Sequence, residues 1–127
     1  MTNAATSSAT IEASPSAVVK LYDTIMMHIN KAGAAASIGD YQTQFTEVMS
    51  ATRIIDGLNR CLDMEKGGKT AQSLRDMYEA VSRALLRSVG KTTGAEACHR
   101  LVGAVAETRD AWATIAGLPL LGSASLS

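Results

Sequence analysis

Between residues 14 and 117 the apolar side chains return every three or four positions, and only short glycine-bearing stretches interrupt them. That period puts the apolar residues on one face of a helix and leaves no alternating segment from which a strand could be built. The first run holds Val18, Leu21, Tyr22, Ile25, Met26 and Ile29, then fades into Ala32-Gly33-Ala34-Ala35-Ala36 and stops by Gly39. Ser14-Pro15 starts it, with Ser14 as N-cap and Pro15 at the first helical position, where a missing N–H costs nothing. The second run follows Asp40, a natural N-cap, and holds Tyr41, Phe45, Val48, Met49, Ile55, Leu58 and Leu62 up to a break at Gly67-Gly68. The third carries Ala71, Leu74, Tyr78, Val81 and Leu85 in a heptad seam and ends at Gly90, where a left-handed C-cap is wanted. The fourth opens with Thr93 and Glu96 in capping-box spacing, continues through Ala97, Leu101, Ala104, Val105, Thr108, Trp112 and Ile115, and closes at Gly117 and Pro119.

Four amphipathic helices with three short connections predict an all-α, antiparallel up-and-down four-helix bundle. The bundle is expected over residues 14–117. Residues 1–13, rich in Ala, Thr and Ser, read as a flexible N-terminal arm, and residues 118–127 as a short, loose C-terminal tail with a few apolar side chains. A chain of 127 residues buries about two-thirds of its unfolded surface, enough for one core without staples.

The twelve basic and twelve acidic residues cancel and are interspersed, so no positive face for nucleic acid is formed. No apolar run approaches the ~20 residues of a membrane span, and the first residues lack the basic and apolar regions of a signal peptide. The expectation is a cytoplasmic protein without membrane insertion. Cys61 and Cys98 read as buried free thiols, a single disulfide between them being the alternative.

Two stretches imitate a phosphate-binding loop, Gly68-Lys69-Thr70 and Gly90-Lys91-Thr92. The loop requires a second glycine five residues earlier, so that backbone N–H groups can wrap the phosphates, and a buried strand before it. Asp63 and Leu85 occupy those positions, in helical surroundings. Both stretches are therefore interhelical turns, and no nucleotide cofactor is expected.

Glu96-Ala97-Cys98-His99 contains one Glu-x-x-His pair of the kind that di-iron bundles use twice. The other histidine, His28, has Ile25 in the glutamate position, and Glu96 is claimed by the capping box. A metal-binding bundle using His28, Glu96 and His99 is thus a distant reading; His28 reads as a packed or partly exposed residue and His99 as structural. No serine lies in a nucleophile elbow and no Cys–His pair is indicated by spacing, so neither a catalytic residue nor a cofactor or metal site is expected.

What the chain has in excess is apolar surface. Ala51, Ile54, Met64, Met77, Leu86 and Val102 lie off the seams. A small bundle can use such positions as flanking core, and those it does not use form grooves for another helix.

Read in order, several stretches together resemble the bacterial flagellar secretion chaperones of the FliS family. They are Ser14-Pro15 with Leu21-Tyr22-Asp23, then Gly39-Asp40, then Ile54-Ile55, Leu58, Leu62-Asp63 and Gly67-Gly68, then Ala71, Leu74 and Tyr78, and finally Arg109-Asp110-Ala111-Trp112, spanning about residues 14–115. The resemblance implies a non-enzymatic chaperone that wraps the disordered C-terminal segment of flagellin, one to one, blocks its polymerisation and keeps it competent for type III export. It implies the export gate and regulatory proteins as further partners. On this reading Ile54, Met64, Met77, Leu86 and Val102 line the flagellin groove, while Leu74, Tyr78 and Trp112 belong to the core. A related adaptor for another flagellar or type III secretion partner is the alternative. Two departures stand out: no tyrosine occurs in residues 2–13, where the family usually has one, and Arg87-Ser88 replaces an Ala-Asn pair.

Overall fold

The computed structural model describes residues 14–121; the arm expected over residues 1–13 and residues 122–127 of the expected tail lie outside the described residues. Four helices account for almost all of what is described: α1 Pro15–Ser37, α2 Tyr41–Arg60, α3 Met64–Ser88 and α4 Gly94–Ala116. They form a closed square, α1 packing against α2 and α4 and α3 against the same two, with the contacts of α1 the more extensive. Direction alternates around the square. His28 of α1 meets Glu47 of α2 across the Ile38–Asp40 turn, and Asp23 and Gly33 of α1 meet Arg109 and Cys98 of α4 in reverse order. The all-α four-helix bundle expected from the periodicity is what the chain forms.

The helix starts follow local chemistry. Ser14 Oγ accepts from Ala17 N–H at 3.2 Å with Pro15 as the first helical residue, and the Asp40 carboxylate accepts from Thr43 N–H at 3.1 Å. That bond to Thr43 holds the Asp40 carboxyl below its ordinary range. α4 ends as predicted, on left-handed Gly117.

The core comprises one buried stripe from each helix, including Val18, Tyr22, Ile25 and Ile29 of α1, Val48, Ala51, Ile55 and Leu58 of α2, Leu74, Tyr78, Val81 and Leu85 of α3, and Cys98 and Val105 of α4. Removing each large aliphatic side chain among them from water contributes about 1.5–3 kcal/mol. Diagonal helices do not approach at the backbone; long side chains join them instead. Tyr22 of α1 and Tyr78 of α3 meet edge to face, ring centroids 6.3 Å apart, with their hydroxyls 2.6 Å apart, and Trp112 of α4 packs against the same core. One polar contact thus crosses the bundle diagonal inside an apolar core.

A second buried polar tie joins α2 to the end of α3. Gln44 is fully buried; its amide nitrogen donates to Ser88 C=O at 2.9 Å and its amide oxygen accepts from Gly90 N–H at 3.1 Å. Gly94 packs directly on this tie: a Cβ there would lie 2.8 Å from Gln44 Nε2 and 2.9 Å from Ser88 O. The small run late in α1 is helical to Ser37, in keeping with a stop by Gly39, and lets α4 come close. A Cβ on Gly33 would sit 3.1 Å from Cys98 Cβ.

Several expectations are corrected. The buried stripe of α4 is Gly94, Cys98, Val105, Arg109 and Ala113 rather than the run through Ala97, Ala104 and Ile115, and Ile115 is 68% exposed. α4 is turned so that its small residues meet the small residues of α1. The capping box does not form, since Thr93 makes no side-chain cap bond; a turn bond from Gly94 N–H to Lys91 C=O leads into the helix. α2 stops at Arg60, earlier than the break expected at Gly67-Gly68. Asp63 then caps the next helix, its carboxylate accepting from Glu65 and Lys66 N–H at 3.1 and 3.0 Å. The macrodipole therefore favours Asp63, which sits at a helix N-terminus and not at a C-terminus. One helical turn later Gly68 kinks the chain at φ 56°, ψ −132°, a conformation open essentially to glycine alone. Neither cysteine is in a disulfide, and Cys61 is exposed while Cys98 is buried.

Replacing Gln44 by alanine orphans Gly90 N–H and leaves Ser88 C=O with Lys91 N–H alone at 3.3 Å, and should destabilise the bundle by about 1–3 kcal/mol, read as a lower urea midpoint at unchanged m-value. Burial raises the phenol pKa of both Tyr22 and Tyr78 above the ordinary 10.0. The folded state thus holds their protons more tightly than the unfolded state does. Their contribution is complete below pH 10 and declines as pH rises beyond it, so stability should fall above pH 10, and a Tyr22→Phe/Tyr78→Phe double variant should flatten that alkaline slope.

Candidate partner-binding surface

The ionisable side chains that could do chemistry are dispersed. His28 Nδ1 lies 2.6 Å from Glu47 Oε1, half-buried between α1 and α2, while Glu96 and His99 line, with Ala95 and Arg100, a surface depression of about 400 Å³ on α4. Among the described residues no group of three or more His, Cys, Asp or Glu side chains could hold a metal ion. Burial raises the Cys98 thiol pKa, and contact with Ser88 offsets this only in part; such a thiol is a poor nucleophile. Gly68-Lys69-Thr70 forms the kink of α3, and Gly90-Lys91-Thr92 lies in the α3–α4 turn, where Gly90 N–H is spent on Gln44. Neither faces a phosphate cradle.

The surface is more informative. Gln44 is fully buried, yet its neighbour Phe45 is 50% exposed, the reverse of what their polarity dictates. The α2 core stripe runs Gln44, Val48, Ala51, Ile55 and Leu58 in steps of four and three, and the bonds of Gln44 to Ser88 and Gly90 pin that rotation. Phe45, about 100° further round the helix, is turned outward. The same bonds bring the start of α2 level with the end of α3, where Leu86 is 49% exposed. Two large apolar side chains therefore stand in water at one end of the α2–α3 pair. Sequence reading placed Phe45 in the core; the available signal was the unbroken heptad step from Leu58 back to Gln44.

The other predicted groove residues fall into distinct settings. Ile54 of α2, Met77 of α3 and Val102 of α4 are partly buried and pack against the core. Met64 is partly buried on the single helical turn before the Gly68 kink. Met77 and Leu86 are nine residues apart on α3, two and a half turns, so they emerge on opposite sides of that helix and cannot line one groove. Leu21 of α1 and Ile115 of α4, taken as core from the sequence, are exposed, as are Met27 and Ile38. Apolar surface thus flanks the bundle on several sides.

At the opposite end from Gln44 the two outermost motifs meet. Arg109 is buried and donates through Nε and Nη2 to the two carboxylate oxygens of Asp23 at 2.9 and 3.4 Å, through Nη1 to Asp110 at 3.1 Å, and to Pro119 C=O at 2.8 Å. Hydrogen bonding to Asp23 raises the guanidinium pKa further above its ordinary value. Arg109 therefore stays charged and fastens α4 to α1.

If Phe45 is surface, Phe45→Ser should change unfolding free energy by no more than ~0.5 kcal/mol, whereas Ile55→Ala, in the core of the same helix, should cost about 2–5 kcal/mol. Equilibrium urea melts of the two variants separate these outcomes.

The chain matches the family model described as flagellar protein FliS over residues 1–118. It is also 31% identical over 110 residues to the flagellar secretion chaperone FliS of Salmonella typhimurium strain LT2, a similarity that covers 85% of this chain and 81% of that protein.

Proposed function

This chain belongs to the flagellar protein FliS family, and on that premise we propose that it is a flagellar secretion chaperone whose cargo is the C-terminal segment of flagellin. The observation that carries this reading is the pair Phe45 and Leu86, large apolar side chains left half exposed by a bundle that buries a full core without them. A cargo segment that is disordered when free can fold as amphipathic helices against such surface. Apolar burial then has to exceed an ordering cost of commonly ~2–5 kcal/mol or more. While bound, the segment cannot contribute its apolar faces to a filament, and the cargo stays monomeric and loose enough for the flagellar type III export gate.

The chaperone works by binding alone, in the cytoplasm, with one cargo chain per bundle, and hands its cargo to the export gate under the influence of regulatory proteins. Among the described residues no helix is long and apolar enough to cross a membrane. Leu86 is the exposed member of the predicted groove set and Phe45 joins it. Ile54, Met77 and Val102, whose partly buried side chains rest on the core, belong to other faces of the bundle, Ile54 and Met77 each standing half a turn round the helix from Phe45 and Leu86, and they meet the cargo where it wraps beyond that pair. Met64 and Met77 add adaptable side chains that suit an irregular partner.

Isothermal titration with the C-terminal segment of flagellin from the same bacterium should show one-to-one, sub-micromolar binding (roughly −8 kcal/mol or better) with a negative heat-capacity change. Phe45→Glu and Leu86→Glu should each weaken binding at least ~10-fold without lowering the melting temperature, and Met77→Glu should weaken it with some loss of stability. Absence of binding to any flagellin of that bacterium would sink the cargo assignment and favour an adaptor for another secreted partner.

A further inference from the structure

Residues 118–121, from sequence part of a loose tail, are fastened to the bundle. Left-handed Gly117 reverses the chain after α4, and Leu118-Pro119-Leu120-Leu121 runs back beside the helix. Pro119 C=O accepts from Arg109 Nη1 at 2.8 Å, and Leu121 N–H donates to Asp110 Oδ1 at 2.9 Å. Both bonds join a side chain of α4 to the backbone of the segment, so they recognise peptide groups and not a particular sequence. Three of the four residues are leucine, yet Leu118 and Leu121 remain 36% exposed, so the segment lies on the bundle without entering its core.

We propose that the α1–α4 edge built by Asp23, Arg109 and Asp110 is a docking site for an apolar peptide, occupied in the free chaperone by its own segment Leu118–Leu121 and vacated when cargo binds. The inference rests on the chaperone reading given above. The tie is suited to exchange. Releasing the segment gives up the bonds at Pro119 and Leu121 but leaves Arg109 paired with Asp23, so α1 and α4 stay joined. A leucine-bearing stretch of cargo can take up the same two backbone bonds. The self-occupied state lowers apparent cargo affinity by the fraction of molecules in which the site is open, and it keeps an apolar edge covered until cargo arrives.

The test uses the full chain, hydrogen exchange read by mass spectrometry, and titration with the flagellin C-terminal segment. Leu121→Pro removes the donated N–H without touching α4; Leu120→Ser, which takes apolar contact from the partly buried residue of the segment and leaves the docking residues intact, serves as a second variant, each checked for an unchanged melt. In the free wild-type protein the Leu120–Leu121 amides should be protected, and saturating cargo should make them exchange at least ~10-fold faster. Leu121→Pro should bind cargo about 3–10-fold more tightly than wild type. Protection that persists or grows in the complex, or a variant that binds cargo equally or more weakly, would overturn the proposal while leaving the chaperone reading intact. Absence of any complex with wild type and variants alike would overturn both.

Discussion

Gln44 decides how α2 is turned. A buried amide must satisfy both its donor and its acceptor, and the end of α3 offers a carbonyl at Ser88 and an N–H at Gly90 in the required places. Once those bonds form, α2 has no rotational freedom left: Val48, Ala51, Ile55 and Leu58 face inward and Phe45 faces water. The same tie sets the height of α2 against α3, and with Gly94 packed on it, the entry of α4 as well. An aromatic side chain in solvent and a glutamine in the core are two consequences of one contact.

The other end of the bundle depends on charge. Arg109 is surrounded by acceptors from three parts of the chain, Asp23 on α1, Asp110 on its own helix and the Pro119 carbonyl beyond it. A buried guanidinium is tolerable only when its donors are satisfied in this way. The Leu21-Tyr22-Asp23 and Arg109-Asp110-Ala111-Trp112 motifs, some ninety residues apart in sequence, are two halves of one assembly: Asp23 holds Arg109, while Tyr22 meets Tyr78 in the core against which Trp112 packs. Polar ties at both ends and the tyrosine contact between them give the bundle its register, and apolar burial supplies the bulk of its stability.

For a chaperone this division is useful. The register contacts are internal and the exposed apolar residues, Phe45, Leu86, Ile115 and Leu21 among them, are free of structural duty. Such side chains can meet a partner without disturbing the fold. The glycine-lysine-threonine stretches belong to the structural side of the ledger: one kinks α3 at Gly68, the other closes α3 against Gln44 at Gly90.

The sequence by itself determined the number of helices, the turns at Gly39 and Gly90 and the caps at Ser14, Asp40 and Gly117, because period and capping are local properties read within a few residues. The α2–α3 turn, expected at Gly67-Gly68, falls instead at residues 61–63. It also marked α3 correctly, Ala71, Leu74, Tyr78, Val81 and Leu85 all being buried. Tertiary structure decided the rotation of α2 and α4. Polarity points Gln44 outward and Ile115 inward, but a long-range hydrogen bond and the close approach of Gly33 to Cys98 override that preference. For the same reason the exposed apolar surface was only partly legible. Ile54, Met77 and Val102 lie against the core, Leu86 is open, and Phe45 is turned outward by a contact of its neighbour Gln44 to residues more than forty positions away. Off-seam spacing shows which residues a helix leaves beside its core stripe; only the neighbouring helices determine which of those stay in water.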